Sequence, residues 1–316
     1  MKPLLFSLVL CLLLTCCKNN PSGCKESGNK QENIKFPKEI VNFVSYDKNP
    51  VFAGTGENTW DQNIRERGYI LKEDGVYYLW YTGYRDGEDE EMHLGLATSP
   101  DGLVWTRYKD NPIFDACWTE DMMALKSGNV YYMFAEGRGD TAHMLTSSDK
   151  IHFEEKGQLD VRNSDGSKIS AGAYGTPFVF PENNKWYLFY EREDLGIWVA
   201  VSEDMKVWTN IVDTPVIAKG PEQYDKWGVA MDQVIKYKGT YFGFYHATEF
   251  EDWHEWTSCV AASKDLVHWI KYPCNPIMRE NKSSPVMVFD GHDYRLYTMH
   301  PSVSVHFPAS RSKNKK

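Results

Sequence analysis

The stretch Ala97-Thr98-Ser99-Pro100-Asp101-Gly102-Leu103-Val104-Trp105 decides the fold, because the chain repeats it. It returns as Leu145-Thr146-Ser147-Ser148-Asp149-Lys150-Ile151-His152-Phe153 and as Ala200-Val201-Ser202-Glu203-Asp204-Met205-Lys206-Val207-Trp208. A further copy is Ala261-Ala262-Ser263-Lys264-Asp265-Leu266-Val267-His268-Trp269. In every copy an aromatic residue follows the aspartate by four positions. Ser-x-Asp makes a tight turn through side chain to backbone hydrogen bonds, and the aromatic then starts a new strand. Upstream of the copies run aromatic strands, Val76–Tyr81, Val130–Phe134, Lys185–Tyr190 and Thr240–Tyr245, with Tyr294–Tyr297 as a fifth. Short segments such as Gly68–Lys72 and Asp232–Lys236 precede them. The unit is an antiparallel meander of four strands, and no long helical period interrupts it between Phe43 and Pro308. Repeated units of about fifty residues predict propeller blades rather than a jelly roll or sandwich.

The number of blades follows from phase. Trp105 leads a strand ending Asn111-Pro112-Ile113-Phe114, and Trp269 leads one ending Asn275-Pro276-Ile277-Met278. Trp208 leads a third, to Ile217. The N-terminal segment Phe43 to Phe52 contains Asn49-Pro50-Val51-Phe52 and is the same strand with no blade before it, whereas the last aromatic strands, Tyr294 to His306, lack one after them. The sequence thus predicts an all-β, five-bladed β-propeller over residues 43–308, about 53 residues per blade, closed by its N-terminal strand. Closure removes the open sheet edges that invite aggregation.

Composition narrows the function. Of 316 residues, 35 are Lys or Arg and 44 are Asp or Glu, a net charge of −9 that argues against nucleic acid as a partner. Eleven Trp, nineteen Tyr and fifteen Phe make 14% aromatic, a supply for strands and for sugar-stacking pockets. Met1-Lys2 followed by an apolar run from Leu4 to Leu14 is a signal peptide h-region, too short to span a bilayer. It ends Leu13-Leu14-Thr15-Cys16-Cys17, which resembles a lipobox, with Cys17, or alternatively Cys16, as the acylated residue. Residues 1–17 are thus read as leader, 18–42 as a flexible tether and 309–316 as a basic tail, so an exported, lipid-anchored protein is expected. Beyond the tether Cys117, Cys259 and Cys274 show no zinc spacing and are read as packing residues.

In a propeller the N-terminal ends of the inner strands open at one mouth. There blade 1 offers Trp60, Asp61, Arg65, Glu66 and Arg67, blade 2 Trp118, Glu120 and Asp121, and blade 3 Tyr174-Gly175-Thr176-Pro177. Blade 4 offers Trp227 and Asp232, and blade 5 Ser283-Ser284. The ends of the second strands add Glu136, Arg138, Glu191, His246 and His300. Carboxylates, arginines and tryptophans converging on a funnel suit glycoside cleavage, in which one carboxylic acid protonates the leaving oxygen and a carboxylate activates water. Adjacent residues of a strand face opposite ways, so only one of Glu120 and Asp121 is expected on the axis; Asp121 is the choice, with Glu120 between blades. Asp61 reads equally as a turn residue, Asp232 as an ion pair with Arg67, Glu191 as part of a solvated cluster, and each histidine as a packed residue. The acidic run Asp86, Glu88, Asp89, Glu90 and Glu91 reads as a solvated rim.

Gly75 to Gly83, then His93 to Gly102 and Trp105, resemble the five-bladed propeller glycoside hydrolases, families 43 and 62, 32 and 68, 117 and 130. The resemblance covers residues 43–308. Family 43 implies carboxylates opening blades 1, 2 and 3 as base, acidity modulator and acid. Asp121 matches the modulator and Asp61 stands nearest the base, but Gly175-Thr176-Pro177 replaces the blade-three acid. Family 117 implies aspartates on blades 1 and 4 with a histidine acid, which draws in Asp232. The expectation is an exo-acting, inverting glycosidase on an oligosaccharide, with Asp61 as base, Asp121 setting acidity and Asp232 as acid or sugar-orienting group. Substrate contacts fall to Trp60, Arg65, Arg67, Trp118, Glu136, Arg138, Tyr174, Glu191, Trp227, His246 and His300. A family 130-like phosphorylase and a non-catalytic carbohydrate-binding propeller are the rivals. No cofactor is required, although carboxylates and carbonyls on the axis would suit a structural calcium.

Overall fold

A computed structural model describes residues 34–87, 91–114 and 116–310. Five sheets follow one another along the chain as the blades of a propeller. Blade 1 contains Tyr69–Glu73, Val76–Tyr84, His93–Ser99 and Thr106–Arg107, and blade 2 contains Glu120–Ser127, Val130–Gly137, Thr141–Ser147 and Glu154–Gln158. Blade 3 contains Phe178–Glu182, Lys185–Glu191, Gly196–Ser202 and Val207–Asn210, and blade 4 contains Gly228–Tyr237, Thr240–Thr248, Thr257–Ser263 and Trp269–Lys271. Blade 5 contributes Val286–Phe289, Tyr294–Thr298 and Ser304–Pro308, and its outer strand is the N-terminal Phe43–Ser45. Phe43 pairs with Pro308 and Ser45 with His306, so the ring closes as its phase requires.

The repeated residues earn their positions by hydrogen bonding. Ser99 Oγ accepts the N–H groups of Asp101 and Gly102, and Asp101 Oδ1 accepts those of Leu103 and Val104. The same bonds recur at Asp149 and Asp265. The asparagine of each Asn-Pro pair in the outer strands of blades 1, 4 and 5 acts as a false backbone. Asn111 Oδ1 accepts from Leu96 N–H and its Nδ2 donates to Leu96 O, both at 2.9 Å, and Asn275 does the same with Val260 at 2.9 Å. Asn49 makes the identical pair with Val305, at 2.8 and 2.9 Å, although it comes from the other end of the chain.

The aromatic after the turn packs against the preceding blade in blades 2, 3 and 4, whereas Trp105 of blade 1 meets Tyr77 of its own blade. Phe153 meets Trp80, Trp208 meets Phe134, and Trp269 meets Phe189, edge to face at 6.3, 6.1 and 5.8 Å between centroids. One T-shaped contact thus recurs at three blade joints, in the geometry aromatic quadrupoles favour. Trp80, Phe134, Phe189 and Trp208 are fully buried in the main core.

Two expectations need correction here. Residues 34–42 are not a free tether: Lys38–Val41 is a short helix, Ile40 and Val41 are buried, and Phe36 packs on Phe242 and Tyr272. Their apolar side chains cover a second core cluster with Ile235, Phe242, Phe244 and Leu296. Cys274 is disulfide-bonded rather than a packing residue, while Cys259 is buried. The leader, the lipobox cysteines, Glu88 to Glu90 and the tail beyond residue 310 lie outside the described residues. Among the described residues no helix is long and apolar enough to cross a membrane.

Candidate active site

The inner strands begin with backbone that straight β geometry would not allow. Arg67, Asp121, Thr176 and Ser284, each just before the inner strand's regular pairing on blades 1, 2, 3 and 5, have left-handed φ of 53°, 47°, 48° and 54°. Blades 2 and 4 also carry register shifts, between Glu120 and Met123 and between Met231 and Gln233. Such bulges re-aim side chains, and non-glycine left-handed residues cluster at functional sites. They turn polar side chains inward at one mouth.

There a cavity of about 250 Å³ is lined by five blades' residues, including Arg65, Glu66, Glu120, Asp121, Glu136, Asp140, Thr176, Glu191, Asp194 and His246. Larger depressions of about 580 and 590 Å³ lie elsewhere, and neither gathers this carboxylate set. Of the residues expected at the site, Arg65, Asp121, Glu136, Glu191 and His246 come together here. Glu120 joins them, against the alternation argument, because the blade-two bulge and the left-handed Asp121 bring both neighbours to the cavity.

Burial sets the proton affinities. Glu120 is pushed up to about 7 by burial and then by the Asp121 carboxylate, against the opposing pull of Arg65, whose Nε lies 2.5 Å from Glu120 Oε2. Burial, and then Asp194, pushes Glu191 up to about 8; Glu191 Oε1 accepts the Asp194 N–H at 2.5 Å. Asp121 and Glu136 are also raised, chiefly by burial. Thr176 ties these two together: its N–H donates to Glu136 Oε2 at 2.6 Å, and its hydroxyl lies 3.3 Å from both Glu136 Oε2 and Asp121 Oδ2. Gly175 leaves room beside it for that carboxylate, since a Cβ there would stand 1.9 Å from Glu136 Oε2 and displace it. Asp121 Oδ1 is buried without a protein hydrogen-bond partner.

The floor is a single side chain. Arg67 is fully buried; its Nη1 donates to Asp121 O at 2.5 Å, and its Nη2 to Pro177 O and Met231 O at 2.9 Å each. It therefore crosses the ring from blade 1 to blades 2, 3 and 4 and is a strut, not the substrate clamp expected. Asp232 lies beneath the same floor, 3.4 Å from Arg67 Nε and 2.9 Å from His246 Nδ1. The ion pair weighed from sequence is thus present, and Asp232 reaches the cavity only through His246. Burial works against the His246 imidazolium, but Asp232 outweighs it and holds the ring above its ordinary value.

Several expected residues stand elsewhere. Asp61 is not the base: its Oδ2 accepts from Arg107 Nε at 2.7 Å and Tyr81 OH at 3.1 Å, and its Oδ1 from Thr59 at 3.0 Å, inside blade 1. Trp60 stacks on Tyr81 and lines an outer depression with His93 and Arg85. Trp118 packs on His143, Tyr174 OH donates to Leu159 O, Arg138 is exposed, and Trp227 lies under Lys226. His300 backs the rim, with Nδ1 3.0 Å from Asn281 Oδ1 and Nε2 3.7 Å from Glu66, and burial holds it below its ordinary value. The tryptophans that line the cavity are instead Trp253 and Trp256, on the loop after the blade-four second strand. Trp253 is 44% exposed with a φ of 54°, and Trp256 stands edge-on to His246 at 4.9 Å. Their position just past His246, at the strand ends that supply Glu136 and Glu191, was the available signal.

Comparison with known proteins agrees with this architecture. A glycosyl hydrolase from Bacteroides ovatus superposes with a TM-score of 0.69 at 16% identity, covering 88% of this chain and 96% of that one. A thermostable family-43 glycoside hydrolase gives 0.58 at 18% identity over 78% and 88%. A glycoside hydrolase family 130 structure gives 0.68 at 17% identity over 89% and 97%. That family is described as mannoside phosphorylases containing glycoside hydrolases that target β-1,2 mannosidic linkages in Candida mannan. The fold is the five-bladed propeller of glycoside-processing enzymes. In sequence, the chain is 28% identical over 220 residues to a 1,2-β-oligomannan phosphorylase of Thermoanaerobacter sp. (strain X514), 63% of this chain and 70% of that protein. No protein-family profile matches the chain.

Proposed function

We propose that this propeller is an exo-acting glycoside hydrolase that removes a terminal sugar, with a β-1,2-linked mannoside as the substrate class. The observation that carries the reading is a pair of carboxyl groups in one cavity, Glu191 pushed up to about 8 and Glu120 to about 7. Glu191 is protonated at neutral pH and gives its proton to the glycosidic oxygen. Glu120, kept partly ionised by Arg65, takes a proton from the attacking water, and the sugar leaves with inversion. Asp121 acts as modulator, because its charge is the largest electrostatic contribution raising Glu120. Asp232 positions His246 for a sugar hydroxyl, and Trp253 and Trp256 offer ring faces for stacking.

Exo action follows from the plugged floor. Arg67 stops a chain from threading the ring, and about 250 Å³ is smaller than the roughly 300–1,000 Å³ of drug-sized pockets, which suits one terminal residue. The mannoside class rests on the sequence relative and the family 130 structure, both named for β-1,2 linkages. Hydrolysis is favoured over phosphorolysis by charge. Among the described lining residues Arg65 is the one permanent cation, it is paired with Glu120, and seven carboxyl groups line the same cavity. Phosphate is a poor guest there.

The test is incubation with β-1,2-mannobiose, with and without inorganic phosphate. Phosphate-independent release of mannose supports the proposal; mannose 1-phosphate formed only with phosphate overturns the hydrolytic reading, and binding without turnover overturns both. Export and anchoring through Cys17, or Cys16, belong to the same proposal, checked by labelling cells with radioactive palmitate.

A further inference from the structure

We propose that Glu91, His93 and Cys117 form a binding site for a transition metal of the zinc class at the rim between blades 1 and 2. One ligand atom from each lies within 4.8 Å of the others. His93 Nε2 is 3.4 Å from Glu91 Oε2, and Cys117 Sγ is 4.0 Å from His93 Nε2 and 3.6 Å from Nδ1. Zinc bonds of about 2.0–2.3 Å arranged tetrahedrally put neighbouring ligand atoms roughly 3.4–3.6 Å apart. The histidine–glutamate edge already has that length, and the thiolate needs to close by a few tenths of an ångström.

The donor chemistry selects the ion. An imidazole, a thiolate and a carboxylate make a borderline to soft set that prefers zinc or cobalt to calcium or magnesium, which take oxygen. The surroundings give it room and order. A depression of about 590 Å³ opens over Glu91 and His93, lined also by Asp86, Trp60, Asn58 and Arg85, so water can supply a fourth ligand from that side. The His93 ring is held edge-on by Trp60 at 6.0 Å. Met92 forms a backbone bridge with Trp118, which fixes the two carrier segments side by side. Cys117 has a left-handed φ of 57°, the strained backbone that functional sites tend to carry.

His93 opens the third strand of blade 1 and Cys117 precedes the inner strand of blade 2, at the same mouth as Glu120. A bound ion would fasten the blade-one rim to the blade carrying Glu120 and Asp121, without touching the sugar cavity. The sequence hid it: ligands two residues apart and then 24 away match no finger pattern, and the two halves read as solvated rim and packing cysteine.

The experiment uses the full chain stripped of metal by a chelator. Zinc is titrated in competition with a chromogenic chelator, and cobalt in a parallel series. One zinc per chain is expected, with a thiolate-to-cobalt charge-transfer band in the near ultraviolet and a Tm that rises with zinc. Cys117→Ser removes the band and, like His93→Gln, weakens zinc at least tenfold and abolishes its effect on Tm. Glu91→Gln, at a side chain 62% exposed and so safe for folding, weakens zinc as well. A folded wild-type chain that takes up no zinc, a cobalt complex without the thiolate band, or variants that bind as tightly as wild type would each overturn the site. Sugar hydrolysis is measured separately, so its outcome leaves this test intact.

Discussion

Replacing Arg67 by methionine is the sharpest test of how the ring is held. The substitution removes donors from three carbonyls, Asp121 O, Pro177 O and Met231 O, on three different blades, and leaves Asp232 facing His246 alone. A buried acceptor left unpaired costs about 1–3 kcal/mol, and breaking a buried ion pair by removing one partner about 3–5 kcal/mol. Gross loss is on the order of 6–14 kcal/mol; water entering from the cavity above and the apolar methionine chain recover part of it. A net loss of at least about 4 kcal/mol is a large share of a total stability of about 5–15 kcal/mol. At roughly 2 °C per kcal/mol for a domain larger than 250 residues, Tm should fall by about 8 °C or more, or soluble protein should be lost. Arg67→Lys should rescue only part of this, since an ammonium cannot span the same three acceptors in a planar fork. The assay is thermal unfolding by circular dichroism at neutral pH. If Arg67→Met unfolds within about 3 °C of wild type, the axial strut is not what joins the blades.

Three more outcomes follow from the same geometry. Hydrolysis should show a bell-shaped pH profile, rising as Glu120 ionises through about 7 and falling as Glu191 loses its proton through about 8; Glu191→Gln should lower kcat by about 10²–10⁴-fold and remove the alkaline limb. Gly175→Ala should push Glu136 away from Thr176 and cut kcat/KM by about 10²-fold while leaving Tm within a few degrees, because the displaced atom is the end of a flexible side chain; unchanged kinetics would separate Glu136 from the reaction. Asn49→Ala takes the partner from Val305 N–H at the closing strand, while Val305 O keeps the Tyr46 N–H, and should cost about 1–3 kcal/mol in urea unfolding, against no measurable change if the closing bonds are incidental.

The blades were legible because the repeats solve the same packing problem: Ser-x-Asp folds the turn, and in blades 2, 3 and 4 the following aromatic meets the preceding blade. The Asn49 segment was legible for the same reason, its asparagine standing where Asn111 and Asn275 stand. The site was only half legible. Strict alternation separates Glu120 from Asp121, and a bulge unites them. Asp61 looked catalytic because its partners, Tyr81 and Arg107, lie 20 and 46 residues away and no local pattern announces them. Trp253 and Trp256 sit in the loop between the second and third strands of blade 4, outside the strand and turn segments that repeat, so repeat alignment passed over them.

The join between Phe43 and Pro308 also governs how this molecule is made. An N-terminal strand whose partner is Ser304–Pro308 must wait, unpaired, through synthesis of nearly the whole chain, while four blades assemble behind it. Non-local pairing of this kind is slow and leaves a tacky border exposed to neighbours. A chain ending just short of residue 304 would therefore be a nearly finished arc, and chaperones rather than the native interface would have to shield its two ends.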